Sequence, residues 1–150
     1  MYSRIIAAVD GSEHSLHALE RAGVLAHLNK AVLTLVHITP NHPVPDELKH
    51  FAQKAEVAEQ PDDLWSAVSQ GILARAREHV SATVAKPPQM ETERREGDIA
   101  EALLDAAHES DAELIVVGNR GLSRVTGLML GSVSQKLCAA ESETDILIVK

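Results

Sequence analysis

The chain has 150 residues, a formal net charge of −8 and a single cysteine, Cys138. That length fits one domain with a real core. An excess of 22 acidic over 14 basic residues argues against a general nucleic-acid binder, because counterion release needs a basic surface. A lone cysteine forms no internal disulfide or cysteine metal cluster. With no apolar run near the roughly 20 residues of a membrane span and no signal-peptide pattern, the expectation is a cytoplasmic protein without membrane insertion.

Residues 4–9 (Arg-Ile-Ile-Ala-Ala-Val) form a continuous apolar run ending in the turn pair Asp10-Gly11, which reads as a strand buried on both faces. Ser12 is placed to cap a helix whose Leu16, Leu19, Gly23 and Ala26 recur at three- and four-residue spacing, a face that packs closely on a sheet. Residues 31–38 read as a second buried strand. From residue 39 to 61 the pattern breaks. Pro40, Pro43 and Pro45 prevent regular structure, and residues 47–58 amount at best to a short charged helix. The segment at 39–60 is therefore read as a variable insertion, either a lid or a surface loop.

Pro61 suits the first turn of a longer helix with the apolar stripe Trp65, Val68, Ile72, Ala76 and Val80, which Gly71 weakens by about 1 kcal/mol relative to alanine. Residues 89–96 are polar and alternating, as an edge strand is. Asp98 with Glu101 resembles a capping box ahead of Ile99, Leu103, Ala106 and Ala107. Residues 114–117 form the next buried strand, residues 132–140 a last helix, and Ile146, Leu147, Ile148 and Val149 a closing apolar edge strand. Strands alternating with helices predict a single-domain, doubly wound α/β fold with a parallel sheet and helices on both faces.

Such sheets bind ligands beyond the carboxyl ends of their strands, where the strand order reverses. Two features fall at strand ends. Gly118-Asn-Arg-Gly121, followed by Gly131-Ser132, has the make-up of a phosphate cradle. Its glycines let backbone N–H groups approach an anion, and a helix opening at Ser132 adds its positive end. Asp10 ends the first strand and offers only acceptors, suiting an amino or hydroxyl donor better than a phosphate; its alternative role is a turn residue before Gly11. If the two strands are neighbours, both features share one crevice. No GxxxxGK[ST] pattern is present. Phosphoryl transfer normally needs such cations and a positioned nucleophile, so no catalytic residue and no metal ligand is assigned.

Three segments, Ala7-Ala8-Val9-Asp10-Gly11-Ser12, Gly97-Asp98-Ile99-Ala100-Glu101-Ala102, and Val116 through Gly121 with Gly131-Ser132-Val133, together resemble the universal stress protein family. The likeness spans the chain, and Gly118, Gly121, Gly131 and Ser132 match the GxxGx9G(S/T) spacing of its ATP-binding members. The resemblance implies a five-stranded sheet in the order 3-2-1-4-5 with ATP between strands one and four. It implies that Asp10 lies at the base and ribose end, and that Ala8 and Ile38 line the adenine. Val117 and Gly118 would border the ribose, and Gly121, Gly131, Ser132 and Val133 the phosphates; Val9 and Arg120, inside the matching motifs, complete the set.

The function implied is nucleotide-dependent stress response or signalling, with Mg²⁺ or Mn²⁺ accompanying the ATP and a homodimer joined antiparallel through Ile146, Leu147, Ile148 and Val149. The alternatives are a slow ATPase or autophosphorylating protein using Ser132, and a nucleotide-free dimeric interaction module. Ser123 and Arg124 depart from the small residues frequent in the family, and residues 140–145 lack its usual proline. The protein partner is not named by the sequence. His14 and His17 share a helix face but lack further ligands at metal spacing. His37 reads as a satisfied buried histidine and Cys138 as a small core residue.

Overall fold

A computed structural model describes residues 1–53, 63–119 and 131–150. In chain order it contains β1 (Arg4–Ala8), α1 (Glu13–Asn29), β2 (Val32–Thr39), a 3-10 helix (Asp46–Gln53), α2 (Leu64–Thr83) and β3 (Met90–Glu96). Then come α3 (Ile99–Ser110), β4 (Leu114–Gly118), α4 (Ser132–Ala139) and β5 (Asp145–Val149). The sheet order is β3-β2-β1-β4-β5 and every pairing is parallel.

The continuous apolar runs are explained by burial on both sides. Alternate residues point to opposite faces of a strand, so Ile5, Ala7, Leu33, Leu35 and Val116 enter one core beneath α1 and α2. Ile6, Val36, Ile38, Ile115 and Val117 enter a second core with α3 and α4. Each fully buried Ile or Leu contributes about 1.5–3 kcal/mol, and a nearly continuous apolar run supplies both layers.

Helix starts follow the expected chemistry. Ser12 accepts a hydrogen bond from the Ser15 N–H and Asp98 from the Glu101 N–H. The long helix begins at Leu64 behind Asp63, whose side chain accepts from the Ser66 N–H; Pro61 lies outside the described residues. The proline-broken segment is irregular at first and then forms the 3-10 helix, which puts Leu48 and Phe51 into the first core. The rest of the charged helix expected there, beyond residue 53, lies outside the described residues.

The two sheet edges differ in character. β3 carries Glu91, Glu93, Arg94, Arg95 and Glu96, with Arg94 paired to Glu96 at 3.0 Å and Arg95 to Glu93 and Glu109. On β5, Ile146, Leu147, Ile148 and Val149 are all half-buried. The Asp145 N–H donates to the Glu113 carbonyl and the Val149 carbonyl accepts from the Asn119 N–H. Since backbone groups alternate along a strand, those of Ile146 and Ile148 face the open edge.

One core expectation is corrected: Cys138 is exposed. On short α4 the buried positions are Ser134 and Leu137, a narrow stripe that turns Cys138 outward.

Candidate functional site

β1 hands over to α1 through Val9, Asp10 and Gly11. The Val9 N–H still donates to the Val36 carbonyl at 2.9 Å, so order persists one residue past the strand. Gly11 then adopts φ +88°, which side chains resist. Asp10 Oδ1 accepts from the Ser12 N–H at 2.8 Å, while Oδ2 has no hydrogen-bond partner among the described residues. Asp10 thus fills the turn role read as its alternative, and it also borders a cavity.

β4 pairs with β1 from Ile5–Leu114 to Ala7–Val116, bringing Gly118 beside that turn. The Asn119 carbonyl accepts from the Gly131 N–H at 3.1 Å, and Ser134 Oγ donates to the Gly118 carbonyl at 3.4 Å. Gly131 therefore closes on the end of β4 so tightly that an added Cβ would stand 3.2 Å from the Asn119 oxygen. It is also the N-cap of α4, with no side-chain cap of its own. The N–H groups of Ser132, Val133 and Ser134 have no acceptor among the described residues, as the first turn of a helix dictates. Lys136 Nζ binds Asp98 Oδ2 at 2.8 Å, tying α4 to the start of α3; the ammonium holds that carboxyl below its ordinary range.

These elements enclose a cavity of about 590 Å³, within the range of small-molecule sites. Ala8, Val9, Asp10 and Ile38 border it from β1 and β2, and Val117 and Gly118 from β4. Gly131, Ser132 and Val133 border it from the start of α4. Arg120 and Gly121 lie outside the described residues, as do Ser123 and Arg124.

The cavity also reaches residues that sequence reasoning did not assign to a site. His42, Pro45 and Leu48 from the segment after β2 form a wall with Trp65, whose Nε1 donates to the His42 carbonyl at 2.7 Å. The run of prolines directly after a strand end was the available signal. His37 is buried as expected, its Nδ1 2.6 Å from Ser69 Oγ. Burial pushes its pKa down to about 4, with Arg94 acting in the same direction and Asp10 opposing. His14 and His17 are exposed, with His17 Nδ1 3.5 Å from Glu20. Among the described residues no group of three His, Cys, Asp or Glu is placed to hold a metal, and no helix is long and apolar enough to cross a membrane.

A parallel doubly wound sheet with a cavity at the point where strand order reverses is the layout in which α/β sheets bind ligands. The sequence profile of the Universal stress protein family matches residues 1–150, and the chain belongs to that family. It is 35% identical over 151 residues to the universal stress protein encoded in the QAH/OAS sulfhydrylase 3′ region of Thermus aquaticus, covering 100% of both chains. It is similar to the crystal structure of a universal stress protein in complex with cAMP, with TM-score 0.71, 32% identity, and 99% and 97% of the two chains covered. A universal stress protein from Archaeoglobus fulgidus in complex with dAMP shares the fold, with TM-score 0.68, 21% identity, and 99% and 98% coverage.

Proposed function

We propose that this chain is an ATP-binding universal stress protein that responds to nucleotide occupancy rather than transforming its ligand. The observation that carries the reading is the convergence of Asp10, Gly118 and the uncapped start of α4 on one cavity. A carboxylate accepts from the base and ribose end, and free N–H groups with the helix dipole receive phosphate. The tight Gly131–Asn119 approach leaves backbone, not side chain, against the ligand.

In this reading Ala8, Val9, Asp10 and Ile38 hold the adenosine, and Val117 and Gly118 border the ribose. Gly121, Gly131, Ser132 and Val133, with Arg120, surround the phosphates. Mg²⁺ or Mn²⁺ would arrive with the triphosphate and screen its charge, the phosphate oxygens supplying most of its ligands. The described part of the 39–60 segment acts as the cover over the adenosine end, consistent with the positions of Pro40, Pro45 and Leu48 at the cavity. The protein works in the cytoplasm as a homodimer joined through β5, without nucleic acid.

A second reading, a cyclic or simple adenosine monophosphate in the same place, is favoured by the 32%-identical structure in complex with cAMP. Mass spectrometry of nucleotide released from the purified protein separates the two. Thermal unfolding tests the shared claim: no stabilisation by saturating ATP with Mg²⁺, AMP or cyclic AMP removes it. Multiple-turnover phosphate release abolished by Gly118→Ala would instead favour the enzyme alternative.

A further inference from the structure

A buried polar group lining the cavity that the nucleotide reading leaves unused is His37. It is 3% exposed and borders the cavity, yet among the described residues only Nδ1 is hydrogen-bonded. Nε2 has no partner among the described residues, and the side-chain atom found fully buried without a partner is Arg94 Nε instead. Among the described residues His37 Nε2 is thus without a hydrogen-bond partner, and the residue that carries it lines the cavity.

The tautomer follows from Ser69. Ser69 is 1% exposed, and His37 Nδ1 is the hydrogen-bond partner of its hydroxyl among the described residues. A buried O–H without an acceptor is costly, so the hydroxyl donates to Nδ1. A neutral imidazole that accepts at Nδ1 carries its hydrogen on Nε2. Burial keeps the ring neutral at physiological pH. The cavity thus offers an N–H donor at His37 Nε2 as well as the acceptor Oδ2 of Asp10.

The surroundings favour a base over a phosphate at this donor. Trp65 lies with its ring centroid 6.1 Å from that of His37, and Ile38, Pro40 and Leu48 border the same cavity. Flat apolar walls suit a planar ring, whereas the free N–H groups suited to phosphate lie at the start of α4. Adenine places an acceptor nitrogen beside a donor amino group, while guanine places its carbonyl oxygen beside N7. A donor and a carboxylate acceptor in one cavity fit this adenine edge, and since guanine's O6 and N1–H would fit the same pair, the choice of adenine comes from the adenine-nucleotide reading above.

We infer that His37 is a specificity-determining residue of the proposed nucleotide site, its Nε2–H donating to the adenine ring nitrogen that flanks the amino group, N1 or N7. This rests on the adenine-nucleotide reading above and adds to it a residue and an atom.

The test is calorimetric titration with AMP, 1-deaza-AMP and 7-deaza-AMP against the wild-type protein and His37→Leu. The wild type is expected to bind one deaza analogue about tenfold more weakly than AMP, the size of one hydrogen bond. His37→Leu should lose the same factor for AMP and none for that analogue. Equal affinities of the wild type for all three compounds overturn the inference while leaving nucleotide binding intact. Absence of AMP, cyclic AMP and ATP binding overturns both. The deaza series needs no substitution, so it decides the matter even where the variant does not fold. Imidazole ¹⁵N spectra add an independent readout: an unprotonated Nδ1 and a protonated Nε2 are expected, and the reverse assignment overturns the inference.

Discussion

Gly71 packs against Phe51 so closely that a Cβ at Gly71 would stand 2.0 Å from the Phe51 carbonyl oxygen. The glycine that looks like a helix weakness is where α2 lets the 3-10 helix settle on it. Alanine would gain about 1 kcal/mol of helix propensity, but overpacking against backbone costs typically 1–3 kcal/mol or more. Overlap this deep outweighs propensity. Gly71→Ala should therefore lower stability by about 2 kcal/mol in urea unfolding; a neutral or stabilising result would mean that the 3-10 helix yields freely.

Gly131→Val should separate ligand response from folding. The added side chain meets the Asn119 carbonyl and fills the approach to the free N–H groups of α4. A ligand at 100 times its dissociation constant adds about 2.7 kcal/mol, roughly a 5–10 °C rise in melting temperature for a domain of this size. ATP with Mg²⁺ is expected to give that rise in the wild type and less than half of it in the variant. Equal shifts in differential scanning fluorimetry would place the phosphates elsewhere.

His37 makes stability depend on pH in a definite direction. Its folded pKa of about 4 lies below the ordinary value of 6.5, so the unfolded chain takes up the proton first. Its contribution is fully present above pH 6.5 and is lost as pH falls towards 4, by about 3 kcal/mol. The charges acting on it are Asp10 after β1 and Arg94 on β3. The carboxyls of Asp98 and Glu113, held low by Lys136 and by the Arg4 and Ser3 N–H groups, lose their contributions in acid too. The difference between wild type and His37→Leu isolates the imidazole. Urea unfolding at pH 7.5 and 4.5 should show a shallower fall for the variant, and parallel falls would refute the assignment.

Ile148→Pro should dissociate the proposed dimer while keeping the sheet. The Ile148 N–H faces the open edge, whereas the Asp145 N–H and Val149 carbonyl bond to neighbours on the β4 side. Proline at an edge removes a donor without breaking the inner ladder. Sedimentation at micromolar concentration is expected to give a dimer for the wild type and a monomer for the variant. A wild-type monomer, or a dimer unaffected by the substitution, would contradict pairing through β5.

The sheet was legible because β1 and β4 are built on apolar runs and β2 on one interrupted only by Thr34 and His37 before its last residue, a pattern that burial on both faces requires. Asp10 and Gly118 were legible because turn residues at strand ends mark the crevice of such a sheet. What sequence did not reveal lies in contacts between distant residues. Periodicity has nothing to say about Ser69 meeting His37 across 32 positions or about Phe51 covering Gly71. Composition misled at Cys138, since a small apolar residue on a helix reads as core unless the width of the buried stripe is known.

The contrast between the two sheet edges has a consequence for assembly. On β3 the charged side chains and their ion pairs stand in the way of another strand, while β5 offers apolar residues and backbone groups without partners among the described residues. A ribbon with one barred margin accepts a single neighbour. In the proposed dimer two copies meeting head-on at their open margins would leave only barred ones outside, so growth would halt at a pair instead of running on as a fibre.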